Sequence, residues 1–475
     1  MNSGLAAGPN GHSQRKGKRA CGRNLAKVNL DLFNWIKSQE AAGKVDGTGV
    51  FSIDKSVAWA KLGSFALPFE HAWIIKIVQS AVASGSALAV EQSRKQTLIR
   101  WGKSPGWSHE GLEAAVFGTA TSDRALEHLA VAVRALAKAS GLPFGLCYED
   151  GTTVYWTGEG FEASSGGTKG EFTIAVSHFK VGESSFLLSL HNLAATTRAA
   201  AIAKTLTDRV HCCPNKVTLD GHSVSNVFNE PFYGASSLRY PLYFLQLKPD
   251  PAMPSLRLRA MHRAPDDGMM SWAPSVETPG GKVVKSVQEA YDPCLAGILV
   301  TAFLKKEAAG KHVEFLPQPQ RSQLVWVADG VEVAREDLGL SPTPTAILVF
   351  CSAADLSTDL SGLAPRETEM KLQRQAEVMR RVDQCLAETD TETKVDCGES
   401  SLSIGLMIVG GMALLISPPV GLVMVAAVGF SKFSAREKSN SLKQKLDEGL
   451  HALRANVTKR WGPGSSRGLE DPRSR

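Results

Sequence analysis

Between Leu402 and Phe430 the chain reads LSIGLMIVGGMALLISPPVGLVMVAAVGF, a stretch of 29 residues with no ionisable side chain. A hydrocarbon core about 30 Å thick is crossed by roughly 20 apolar residues of helix, so this run is long enough to anchor the chain in a membrane. Pro418-Pro419 divides it into 402–417 and 420–430, and neither half is a comfortable span by itself. Two arrangements fit: one long helix kinked at the prolines, or a hairpin whose halves enter and return on the same side. Gly405, Gly410, Gly411 and Ala413 give the first half a small face on which a second helix can pack, one route to a homo-oligomer.

The flanks bear on orientation. Lys432, Arg436, Lys438, Lys443 and Lys445 follow the run, against Arg380, Arg381 and Lys394 before it, a bias that places the C-terminal side in the cytoplasm. The first 24 residues have no apolar h-region, and the eight cysteines are scattered without framework spacing, as suits a reducing compartment. The expectation is a membrane protein whose N-terminal body is cytoplasmic. If the tail is cytoplasmic too, the hairpin is favoured.

At 475 residues and 43% hydrophobic, the chain can bury a sizeable core in two or three folded units. Its net charge of +6 is concentrated at the ends: Arg15, Lys16, Lys18, Arg19 and Arg23 in one arm, Lys459, Arg460, Arg467, Arg473 and Arg475 in the other. These read as solvated basic tails, so membrane lipid is the expected partner and no specific nucleic acid is.

Apolar spacing predicts helices over 25–39 and 53–65, then a third after Pro68 in HAWIIKIVQSAVASG, closed by Gly85. LAVEQSRKQTLIRW alternates like a hairpin, and Ser122 or Asp123 caps a helix carrying Leu126, Leu129, Val133 and Leu136 on its buried side. His128 lies inside that helix and reads as a helix-surface or hydrogen-bonded histidine, since no partner has metal spacing. LCYEDGTTVYW is a hairpin turning at Asp150-Gly151.

This succession, with WIIKIVQSAVASG as the second helix, resembles the nucleotide-binding fold of the GHKL superfamily, which includes gyrase, heat-shock ATPases, histidine kinases and MutL. FTIAVSHF and SFLLSLHNL as strands, TTRAAAIAKTLTDRV as a helix and CCPNKVTLDGHSV as a strand ending in a turn are similar to the domain that follows the nucleotide site in the heat-shock ATPases. The resemblance covers about Leu25 to Ala264 and makes ATP the cofactor to test. It places the water-activating acid at Lys76, the Mg²⁺-holding Asn at Ser80 and a nearby Asp at Ala83, and none of these side chains does that chemistry. The family's D-x-G-x-G is absent between Trp101 and Val154. Candidate nucleotide contacts are therefore Lys76 and Ser80, with Gly167, Lys169 and Gly170 of a Gly-rich segment whose amides suit a phosphate or a hairpin tip. No catalytic residue is assigned, although Glu70 and Glu113 are acids available to a rival, active enzyme.

Further along, adjacent Cys212 and Cys213 have poor geometry for sharing one zinc ion with His211 or His222, so no metal site is assigned. LVWVADGVEVA predicts a hairpin around Asp329-Gly330, and AILVFC a buried strand. Asp355, Ser357, Thr358 and Asp359 read as capping residues of a loop. The helix from Pro365 to about Glu388 carries Leu372, Ala376, Met379, Val382 and Leu386 in one stripe, fit to self-associate or to dock on the body. A last amphipathic helix, 439–457, lines up Leu442, Leu446, Leu450 and Leu453 for the membrane surface.

The fold class is thus α+β. A basic arm (1–24) precedes a GHKL-like α/β sandwich (25–180), a second α/β domain (181–264), a linker (265–283) and a small β-rich unit (284–364). A helix with an acidic spacer (365–400), the membrane segment (401–431) and a helix with a basic tail (432–475) complete the chain. The expected function is a non-hydrolysing membrane scaffold or sensor. The alternatives are an active chaperone-like ATPase, or an interaction protein that organises membranes without nucleotide.

Overall fold

The computed structural model describes residues 67–117, 121–137, 141–156, 161–165, 167, 169–180, 183, 190–227, 237–259, 274–277, 292–309, 312–359, 361–388, 394–397, 441 and 444–462. The basic arm, the helices expected at 25–39 and 53–65, and the apolar run 402–430 lie outside the described residues. Among the described residues no helix is long and apolar enough to cross a membrane.

Helix α1 (Ala72–Ala83) is the pivot of the fold. Every residue from Ala72 to Ala81 is buried, including Lys76, Gln79 and Ser80. A helix covered on all sides is a core helix. It ends where Gly85 takes a φ of 69°, a left-handed conformation that glycine adopts without steric cost. Helix α2 (His109–Val116) is capped by Ser108 and helix α3 (Arg124–Ala135) by Asp123, whose carboxylate accepts from the amides of Ala125 and Leu126.

The first sheet has eight strands in the order β5-β4-β3-β6-β2-β1-β7-β8. They are β1 (Leu88–Gln92), β2 (Gln96–Trp101), β3 (Phe144–Cys147), β4 (Thr152–Trp156), β5 (Phe161–Ser165), β6 (Thr173–Ser177), β7 (Val217–Leu219) and β8 (His222–Ser223). Neighbours run antiparallel except β1 and β7, whose parallel pairing follows a crossover through helix α4 (Leu190–Arg209). The boundary expected at 181 therefore does not separate two sheets, because β7 and β8 complete the first one. The last four residues of SFLLSLHNL, expected as a strand, open α4 from Leu190, while 185–189 lie outside the described residues. The alanines that follow have the highest helix propensity and outweigh a short apolar run.

The second sheet has six strands. Its long strand β11 (Ala296–Ala309) pairs with β9 (Ser237–Gln246) along one edge and with β15 (Thr345–Ser352) and then β12 (His312–Pro317) along the other. β13 (Gln323–Ala328) lies parallel to β15 and folds back as β14 (Val331–Asp337). Asp329 and Gly330 both take positive φ, 47° and 75°, as a tight two-residue hairpin turn requires. β9 was expected in the preceding domain but belongs here by pairing. A small ladder joins β10 (Pro274–Glu277), within the expected linker, to β16 (Lys394–Cys397), within the expected spacer.

One hydrophobic cluster contains side chains of both sheets and of α1, α3 and α4. Two more helices join it. Helix α5 (Glu369–Glu388) buries Val378, Met379, Val382 and Leu386 there, leaving Leu372 partly exposed. The stripe proposed for self-association is thus largely occupied within the chain. Helix α6, residues 444–461, buries Leu446, Leu450, Leu453 and Val457 in the same cluster. Its apolar face covers the body, not a membrane surface as the sequence pattern suggested, because the second sheet supplies an apolar neighbour that an isolated helix would lack.

Candidate functional site

Lys76 and Ser80, four residues apart, share one side of α1, and the parts of the chain that cover them come from far along the sequence. Lys76 is only 3% exposed. Its Nζ lies 3.0 Å from the point where a Cβ on Gly362 would stand. Gly362 has a φ of +65°, so a side chain at this position would meet both backbone strain and the ammonium. Burial lowers the Lys76 pKa to about 8, against the pull of the Asp329, Asp359 and Glu127 carboxylates, with Arg124 adding to the decrease. At neutral pH such a group remains mostly ammonium. It is a buried positive charge and not a base that draws a proton from water.

Among the carboxylates that raise the Lys76 pKa, Asp329, at the tip of the β13–β14 hairpin, contributes most. One of its oxygens accepts from Arg124 Nη2 at 2.9 Å and faces His128 Nε2 at 3.0 Å. Burial pushes the Asp329 carboxyl up, but the hydrogen bond and charge of His128, with those of Arg124, bring it below the ordinary value. His128 is thus a hydrogen-bonded helix residue, the second of the two readings that its place in the pattern left open. Beside the tip, Gln79 Nε2 donates to Ala328 O at 3.1 Å. A Cβ on Gly330 would stand 2.9 Å from both Pro214 Cδ and Val82 Cγ2, so the tip is wedged between the end of α1 and the turn after α4.

Asp359 organises the loop above Lys76. Its carboxylate accepts from Ser361 Oγ and from the amides of Leu363 and Ala364. That is the capping role expected of this loop.

The remaining candidates lie elsewhere. Gly167 donates its amide to Gly151 O at 3.0 Å, and Gly170 to Glu149 O at 2.8 Å, so both amides serve the β3–β4 turn and neither is offered to a phosphate. A Cβ on Gly167 would stand 2.4 Å from Cys147 Sγ, which explains the glycine by packing. Lys169 is exposed beside the same turn. The structure thus brings Lys76 and Ser80 together and places Gly167, Lys169 and Gly170 in a separate neighbourhood.

The polar side chains of this region are enclosed. Ser80 is fully buried, with no hydrogen-bond partner for its Oγ among the described residues. Between α2, α3 and the first sheet, the cavity lined by His109, Leu112, Glu113, Val133, Leu146 and Tyr148 has a volume of about 10 Å³. That is room for about one water, whereas sites for small molecules run to several hundred Å³. Glu70 is exposed and Glu113 lines this small cavity.

Among the described residues no group of three or more His, Cys, Asp or Glu side chains is placed to hold a metal. Cys212 is fully buried, its thiol pushed well up by burial and by Glu332, and it lies 3.7 Å from Gly330 O. His222 is exposed on β8. Sequence reasoning missed Asp329 and Gly362 as neighbours of Lys76, and Arg124 as a partner of Asp329. A lysine in a mostly apolar helix was the available signal that carboxylates had to be near.

No family model matches this chain. No curated protein matches it. Among solved structures, the N-terminal domain of a DNA repair protein is similar over 65% of this chain and 91% of its own, with 9% identity and a TM-score of 0.30. A likeness of that strength carries no argument about fold or function.

Proposed function

We propose that the chain is a membrane-anchored, GHKL-like scaffold that neither binds nor hydrolyses nucleotide. The observation that carries this reading is Lys76. It occupies the position that the resemblance gives to the water-activating acid, and it is closed beneath Gly362 among Asp329, Asp359 and Glu127. A site of this kind suits holding a hairpin of one sheet against a helix beneath the other. Anchoring rests on the 29-residue apolar run, which joins the scaffold to lipid.

The test is a melting experiment on the full chain with ATP or ADP, with and without Mg²⁺, alongside a phosphate-release assay. The expected result is no change in Tm and no release above background. A ligand at 100 times its Kd stabilises a fold by about 2.7 kcal/mol, so occupancy would be visible. Phosphate release that disappears in Glu70→Ala or Glu113→Gln would restore the ATPase reading. Pelleting with membranes through an alkaline carbonate wash checks the anchor.

A further inference from the structure

Helix α6 comes down on one end of the second sheet and leaves a groove beside the point of contact. Gly449 is buried there, and a Cβ on it would stand 3.2 Å from Thr345 Oγ1 and 3.3 Å from Pro344 Cβ, so the helix backbone rests on the start of β15. Further along α6, Asn456 Nδ2 donates to Ser341 O at 3.4 Å and Arg460 Nη1 to Gly339 O at 2.9 Å, which occupies that part of the helix with the loop before β15. At Gly449 the surface opens instead. A groove of about 270 Å³ is lined by Pro317, Pro344, Lys445, Glu448, Gly449 and Ala452. That is far more than one water needs and just below the roughly 300 Å³ at which sites for drug-sized ligands begin, so it has room for a small molecule.

The walls choose between ligand classes. Pro317 ends β12 and Pro344 precedes β15, and neither has an N–H to donate. The Pro344 carbonyl already accepts from the amide of Phe303 at 3.3 Å and from Gln320 Nε2 at 3.5 Å. An extended peptide added as a strand finds no ladder on such a wall. What the wall offers is apolar surface. The charges come from α6, where Lys445 and Glu448 are three residues apart and so share one helix face. Lys445 has no bonded partner among the described residues. Glu448 accepts from Gln444 Nε2 on Oε1 at 2.9 Å, which leaves Oε2 without a donor among the described residues. A cation and an anion side by side over an apolar floor, each with bonding capacity unused, complement a zwitterion that carries an apolar side chain.

We propose that this groove binds a free apolar α-amino acid, with its carboxylate at Lys445, its ammonium at Glu448 and its side chain on Pro317, Pro344 and Ala452. Such a ligand touches α6 and the ends of two strands at once, so its binding tightens the hold of α6 on the second sheet. The site is separate from Lys76 and does not depend on the reading given to that lysine.

The experiment titrates L-leucine into the purified full chain by isothermal titration calorimetry, with N-acetyl-leucine, which lacks the ammonium, and leucinamide, which lacks the carboxylate, as comparisons. The expected result is saturable binding of L-leucine at one site per chain, with each comparison weaker by about tenfold or more, as the loss of a charge-assisted contact dictates. Lys445→Ala should weaken L-leucine and N-acetyl-leucine and leave leucinamide unaffected. Glu448→Gln should weaken L-leucine and leucinamide and leave N-acetyl-leucine unaffected. Ala452→Trp adds its bulk at an exposed position, fills the groove, and should abolish binding with the urea midpoint unchanged. No binding of L-leucine at millimolar concentration, or binding undiminished in Ala452→Trp, would overturn the proposal. Equal binding of all three compounds would overturn it too, because the groove would then read only the side chain.

Discussion

His128 Nε2 stands 3.0 Å from Asp329 Oδ2 although 201 residues separate them in the chain. Arg124 Nη2 reaches the same oxygen at 2.9 Å from the previous turn of α3. Two donors on a helix packed against the first sheet thereby hold the tip of a hairpin from the second. Asp329→Asn retains a residue that tolerates positive φ but removes the charge, and charge-assisted bonds of this kind are worth about 1.5–3 kcal/mol. The expected outcome is a lower urea midpoint with an unchanged slope. An unaltered midpoint would mean that the tip is held by shape alone.

Lys76 gives the fold an alkaline signature. Its folded pKa of about 8 lies below the ordinary 10.5, so between those values the unfolded chain binds more protons than the folded one. Stability from this residue therefore rises with pH through that window. At about 1.4 kcal/mol per pH unit, the gain is at most about 3 kcal/mol. Buried thiols such as Cys213, pushed up to about 12, act in the opposite sense above the ordinary thiol value, so the measurement must be a difference. Urea midpoints of the wild type and Lys76→Met, taken near neutrality and again at about pH 9.5, should diverge in favour of the wild type. Parallel curves would place Lys76 in water.

Two buried imidazoles set an acid limit. His178 is fully buried, with Nε2 2.8 Å from Thr97 Oγ1, and burial lowers its pKa as it does that of His71, with Arg198 adding to the decrease in both. Both are therefore neutral in the folded protein at pH 7. Below the ordinary value of 6.5 the unfolded chain takes up protons that the folded one refuses, and stability is lost as pH falls. His178→Gln should flatten the decline between about pH 6.5 and 5. The salt-bridged Glu183, held at about 2 by its bonds to Arg198, loses its contribution only at lower pH, so the two effects separate.

Gly330→Ala should be costly for two reasons that add. The position has a φ of +75°, and the new methyl carbon would stand 2.9 Å from Pro214 Cδ and from Val82 Cγ2. Overpacking of this kind costs about 1–3 kcal/mol, before the backbone strain is included. Gly221→Ala, with a φ of +81° and nothing within 4 Å, carries the strain without the clash and is the control. Differential scanning calorimetry of the pair should show the larger loss at Gly330.

Much of the architecture was legible because it is local. The turns at Asp150-Gly151 and Asp329-Gly330, the Asp123 cap and the buried strand at 345–352 each follow from a few adjacent residues. The pairing of β7 with β1 and of β9 with β11 was not legible, since no short pattern states which strand a segment will join. Periodicity likewise shows that α5 and α6 have an apolar face but not what will cover it. At the site, Lys76 was singled out because it falls where the family resemblance places an acid. Its neighbours Asp329, Asp359 and Gly362 lie more than 250 residues away in sequence, and only the folded chain brings them to it.

The envelopment of α1 has a consequence for biosynthesis. Gln79 waits for Ala328, the residue 249 positions later that accepts its hydrogen bond, and the turn beside it closes over the same helix. At roughly 5–20 residues per second, a ribosome needs about 12–50 s to make that stretch. Throughout that interval a nascent helix of mostly apolar residues has only part of its final cover. Holding factors that mask such segments should therefore raise the yield of this chain, and slowing translation should lower it.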